Sequence, residues 1–171
     1  MFMKYEYGLI IRGLLCFTPI SLFYLILTPL TLYGSYLLLW FYNPIIYGTG
    51  IIIGENLFEL VGACIAAAAY LLLLILILLT KEIGFYNRIK MFLFGSLLIY
   101  LLNIIRIAFL VILSISFNTT LFEIIHTIFW KFLSGIYVAG VWILLVYLFK
   151  IKSIPIYSDL KYLYKNSLFK K

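Results

Sequence analysis

The sequence predicts an all-α, polytopic transmembrane helical bundle of about four spans, or five if the first apolar stretch is broken. Three observations predict it. Hydrophobic residues make up 66% of the chain and charged residues 11%, against about 45–50% and 25% in ordinary soluble domains. The mean hydropathy is +1.18. Apolar stretches long enough for a bilayer, about 20 residues each, alternate with links that are either rich in Lys and Arg or free of them. A soluble chain of 171 residues cannot bury that much apolar surface, because a small domain leaves a large share of its surface exposed.

The stretches lie at about 13–41, 57–80, 91–117 and 124–149. The first is too long for one straight crossing and contains Pro19 and Pro29, which remove helix hydrogen bonds. A single kinked, tilted span is the simplest expectation, with a broken helix or short hairpin as the alternative. The N-terminal segment carries Lys4 and Arg12, the 81–90 link carries Lys81, Arg88 and Lys90, and the tail is rich in lysine. The 42–56 and 118–123 links have neither Lys nor Arg. The positive-inside rule therefore expects both termini and the 81–90 link in the cytoplasm, at the plasma membrane. Residues 1–149 form the bundle, and 150–171 form a basic, amphipathic tail on the inner leaflet, drawn to anionic lipid. The outer 42–56 link combines turn residues Pro44, Gly48, Gly50 and Gly54 with five isoleucines. It reads as an interfacial connector, or as a lid over an outer site.

The charge of +7 follows this topology and gives no basic face for nucleic acid. Cys16 and Cys64 both fall in apolar segments, which argues against a disulfide framework. His126 is the single histidine, so an HExxH zinc site is excluded. Walker A, GxSxG and GxGxxG patterns are absent.

The chemistry-bearing residues stand inside the spans. A charge at mid-membrane costs roughly 2.5–3.5 kcal/mol, which makes Arg106 a residue with a partner or a task. Asn103 precedes it by one turn on the same helix face. The plain alternative is a structural Arg paired with Glu59 or Glu123. Cys64 sits in Gly62-Ala63-Cys64-Ile65 ahead of an alanine run, where a cysteine is commonly a small buried hydrophobe. His126 follows Glu123 by one turn, and a carboxylate so placed can orient the ring. Lys131, further inside, is expected to snorkel or pair with an acid. The orientation puts the starts of spans two and four and the end of span three at the outer face. Cys64 and His126 then lie roughly 10 Å or less below that face, and Arg106 roughly 16 Å below it, within outward reach of its long side chain. A thiolate nucleophile, an imidazole to shuttle its proton and a guanidinium for the oxyanion together meet the needs of acyl transfer. No cofactor or metal is required.

The order Cys64, then Asn103-x-x-Arg106-Ile107, then His126, in successive spans over about 59–140, resembles the exosortase/archaeosortase family. The resemblance implies a membrane cysteine transpeptidase with Cys64, Arg106 and His126 catalytic, and with Asn103, Glu123 and Glu59 in support. Its substrates would be exported proteins ending in a short motif, a transmembrane helix and a basic tail, and its acceptor a lipid or another amine. In the family a small or hydroxyl residue and then Gly usually follow the Cys, whereas here Ile65 and Ala66 follow. Many members have about eight spans where this chain has about four. A non-catalytic scaffold or transporter subunit with a structural Arg106 is the competing expectation, and a third is an intramembrane cysteine protease that uses the same residues and releases its product to water.

Overall fold

The computed structural model describes residues 2–81, 83–116, 119–129, 134–151 and 155, with only the backbone of 2–7, 119–123 and 134. The first apolar stretch is not one span. Helix α1 (Phe2–Leu15) ends in a turn, where the Cys16 N–H donates to the Arg12 and Gly13 carbonyls and the Thr18 hydroxyl to that of Leu15. Helix α2 (Ile20–Leu38) then starts behind Pro19 at φ −65°. Proline is tolerated at a helix start, where its missing N–H has no ladder partner to lose. The expected single helix over 13–41 is therefore corrected to a broken one, with Pro19 as the break and Pro29 alone inside α2.

After a 3-10 turn (Trp40–Tyr42) the 42–56 link forms a sheet. Strands β1 (Ile45–Tyr47), β2 (Gly50–Ile53) and β3 (Asn56–Glu59) make an antiparallel meander in the order β1-β2-β3. Tyr47 pairs with Gly50 and Ile53 with Asn56, so each loop has two residues. Gly48 and Gly54 open those loops at φ 58° and 62°, the position at which tight hairpins take glycine. The all-α expectation is corrected here. Runs of β-branched isoleucine cut by glycine favour strand over helix or open loop. Ile51 and Ile53 turn inward and pack with Leu32, Leu39, Leu60, Ile107 and Val111, which fixes the sheet against α2 and α5.

The expected helix over 57–80 is also interrupted. Its first residues belong to β3, followed by the one-turn helix α3 (Gly62–Ile65) and then by α4 (Ala67–Leu78). Helix α5 (Phe85–Ser116) is the axis of the molecule, 32 residues long and so about 48 Å. Met91, Gly95, Ile99, Asn103, Arg106 and Leu110 are buried along it at steps of three or four, a continuous inward stripe. It packs against α2, α4 and α7 (Ser134–Leu148), around Leu27, Leu73, Ile77, Val141 and Leu145. Of the expected fourth stretch, 124–149, the described part forms α6 (Thr119–Ile128) and α7, and residues 130–133 between them lie outside the described residues. Phe129 stacks on Phe109 with centroids 5.8 Å apart, tying α6 to α5. Lys131 lies outside the described residues, as does nearly all of the predicted tail.

The protein is mostly helical, and α2 and α5 are long and apolar enough to cross a membrane. Helices α4 and α7 are also apolar but shorter. Large apolar side chains lie on the outside, Phe41 at 90% and Phe17 at 86% exposed among them.

At the end of α4, Arg88 donates to the carbonyls of Ile77, Leu78, Thr80 and Ile83, and Arg12 donates to that of Leu78. The last carbonyls of a helix have no partners within it, so these two cations close one end of the bundle. The sheet lies toward the other end of α5.

Helix α2 meets α5 closely at Gly34, where an added Cβ would overlap the Tyr100 hydroxyl. That hydroxyl donates to the Leu30 carbonyl at 3.0 Å. Gly34→Ala is expected to displace Tyr100 and lower stability by about 1–2 kcal/mol, read as a lower midpoint of thermal unfolding in detergent. Tyr100→Phe combined with it should recover part of the loss, because the clashing atom is gone.

Candidate active site

The site begins with a helix break. Ala66 adopts φ 56° and ψ 27°, the left-handed region, and so separates α3 from α4. For a residue with a Cβ this conformation costs roughly 1–2 kcal/mol. It also strips the carbonyls of α3 of their partners in a continuing helix. Two side chains of α5 supply replacements. Asn103 Nδ2 donates to the Cys64 carbonyl at 2.7 Å, and Arg106 Nη2 donates to the Ala63 carbonyl at 3.0 Å. Asn103 is 3% exposed and Arg106 6%. The one-turn spacing of Asn103 and Arg106 thus sets both donors under the same short turn. Ala66→Gly is expected to relieve the strained φ and raise stability by about 0.5–1 kcal/mol, checked by the same unfolding midpoint, with Cys64 kept in place.

Cys64 is half-buried, and its backbone N–H donates to the Val61 carbonyl at 2.8 Å. It lines a cavity of about 490 Å³ together with His126 from α6, Glu59 from β3, and Val111 and Ser114 from α5. Residues on four separate elements, far apart in the chain, therefore face one space. Arg106 is not in that wall. It stands behind Cys64, within electrostatic reach of the thiol, and Tyr137 of α7 lies within electrostatic reach of Arg106. Its Nε is buried and among the described residues has no hydrogen-bond partner, so the guanidinium holds an unspent donor beside the Cys64 turn.

Of the six residues that the sequence singles out, Cys64, His126 and Glu59 share the cavity, and Asn103 and Arg106 support the turn that carries Cys64. The Glu123 side chain lies outside the described residues. Among the described residues no three of His, Cys, Asp and Glu gather into a metal set. The sequence reading misses Tyr137 and Ser114. Both stand in unbroken apolar helices, where nothing local separates a site residue from a packing one. It also misses that β3 forms one wall, although the two-residue Gly loops were a hairpin signal.

No protein-family model, curated protein or solved structure matches this chain.

Proposed function

We propose that this chain is a membrane-embedded cysteine transpeptidase. It cuts a C-terminal sorting signal from exported proteins at the outer face of the membrane and passes them to an acceptor, a lipid or another amine. The observation that carries the reading is the shared cavity: a thiol from α3 and an imidazole from α6 line one space. The resemblance to exosortases and archaeosortases supports it through the order of Cys64, Asn103, Arg106 and His126.

In this reading four apolar segments cross the bilayer, with the Arg12 and Arg88 end in the cytoplasm. Cys64 and Arg88 belong toward opposite ends of the bundle, which agrees with a site facing outward. The Cys64 sulfur attacks the scissile carbonyl carbon, and His126 takes the thiol proton. Arg106, which stands behind the cavity wall at rest, turns its unspent donor toward the oxyanion when substrate is bound and stabilises it. The C–N bond breaks as His126 returns the proton to the leaving amine. The thioester left on Cys64 is then attacked by the acceptor amine, which forms the new amide and restores the thiol. Glu59 and Glu123 are the carboxylates available to orient the imidazole.

A second reading is favoured by one specific observation. Asn103 and Arg106 already hold backbone carbonyls, which suits a non-catalytic scaffold or transporter subunit with a structural Arg. The deciding experiment is mass analysis of the C-termini of exported proteins in cells carrying the wild-type chain or Cys64→Ala. New C-termini that depend on Cys64 support the enzyme, and identical C-termini in both end that reading. The mass of the attached group separates a lipid or amine acceptor from water.

A further inference from the structure

Among the described residues, strand β3 is hydrogen-bonded on one side only, to β2. The register says which of its backbone groups are left. Ile53 and Asn56 close a two-residue loop and so form a hydrogen-bonded pair. Pairs alternate from there, which makes Leu57 opposite Ile52, and Glu59 opposite Gly50, non-hydrogen-bonded pairs. The Leu60 N–H donates to the Thr49 carbonyl at 3.3 Å, which continues the alternation. The N–H and C=O of Leu57 and the N–H of Glu59 therefore point away from β2. The Glu59 carbonyl is taken by the Val61 N–H at 3.1 Å. Among the described residues no backbone bond takes the other three groups.

An open strand edge is not tolerated against lipid, because each unsatisfied N–H or C=O costs several kcal/mol there. This edge belongs to a strand whose four residues, Asn56 to Glu59, line the same cavity as Cys64 and His126. Leu57 is 47% exposed. Its unmet groups are an alternating donor and acceptor row, which is complementary to an extended polypeptide and to no lipid tail.

We infer that β3 is a docking edge for an extended peptide segment, which adds as a fourth strand across Leu57 and Glu59 and is thereby laid beside Cys64. Backbone bonds supply the affinity, and alternate side chains supply the selectivity. Glu59, on the same face as Leu57, selects against an acidic residue opposite it. The inference rests on the transpeptidase reading only for what happens next to the bound segment. Docking itself needs no thiol.

The test uses the full chain carrying Cys64→Ala in lipid nanodiscs, so that capture owes nothing to the nucleophile. The probe is a Thr-Val octapeptide with an N-terminal benzophenone, photo-crosslinked and mapped by mass spectrometry. Capture is expected at 56–59. A version N-methylated at every second residue keeps one hydrogen-bonding edge and is captured as well as the parent. A version N-methylated at every residue loses capture about tenfold or more. Leu57→Pro removes an outward N–H without touching the β2 ladder and lowers capture roughly fivefold, whereas Leu57→Ala keeps it. The two peptide versions carry the test even if Leu57→Pro fails to fold. Absence of capture, equal capture of all three peptides, or loss with the alternately methylated one overturns the inference. Processing that ignores Cys64 alongside this capture pattern removes the enzyme and leaves the docking edge. Processing that needs Cys64 without the pattern does the reverse.

Discussion

On the proposed transpeptidase reading, Cys64→Ala is expected to abolish processing, with turnover falling by at least about 1,000-fold, as for loss of a nucleophile elsewhere. The change removes one sulfur from a half-buried position that already opens on a cavity. The Asn103 side chain donates to the backbone carbonyl of residue 64, which the substitution leaves in place, so that bond survives. Stability should therefore shift by less than about 1 kcal/mol, which separates lost chemistry from lost fold. Cys16→Ala is the matched control, since Cys16 lies in the turn after α1, and it should leave turnover unchanged. Pulse labelling of an exported protein ending in a motif, a transmembrane helix and a basic tail reads both variants against the wild type. Processing of that protein by Cys64→Ala at the wild-type rate would falsify the nucleophile.

Arg106 has the second-largest expected effect, and it acts on two quantities. Arg106→Leu leaves the Ala63 carbonyl without its donor and frees the turn that carries Cys64. A buried hydrogen bond from a charged group is worth about 1.5–3 kcal/mol, partly offset because a buried charge is no longer desolvated. A net loss of about 2 kcal/mol is expected, visible in the unfolding midpoint. Turnover should fall further than stability explains, by about 100- to 1,000-fold, the usual cost of an oxyanion donor. Arg106→Lys separates the roles. An ammonium can still reach a carbonyl, but it lacks the planar fork that spares a second donor for substrate. Near-wild-type stability with turnover still down 100-fold supports the catalytic role. Turnover that tracks stability in both variants makes Arg106 purely a support for the turn.

That the chain is mostly helical was legible, because lipid-length apolar runs leave few alternatives, but where its helices break was not. The run expected at 91–117 is α5, which begins six residues earlier, at Phe85. The early start is tied to Arg88, which needs a helical position to turn back onto the end of α4. Ala66 was not legible as a break. Alanine is the best helix former, and only the two donors on α5, far away in sequence, make a left-handed alanine tolerable there. The meander was legible in principle. Ile-Gly-Glu-Asn-Leu is a hairpin phrase, but in a chain this apolar it reads equally well as an interfacial loop. Pro19 was seen and misplaced, because a proline in an apolar run marks a kink or a start with the same letter. For the site, residue types and their order were readable. The cavity that joins Cys64, His126 and Glu59 was not, since it depends on where β3 ends and α6 turns back.

The brevity of α4 has a consequence for the surroundings of the protein. Twelve residues rise about 18 Å, against a hydrocarbon thickness of about 30 Å. In a bilayer the remaining 12 Å or so would fall to α3 and the meander, which are not built to face acyl chains. The membrane would have to dimple on that flank, and a thick, sterol-like lipid phase would resist the dimple more than a thin one.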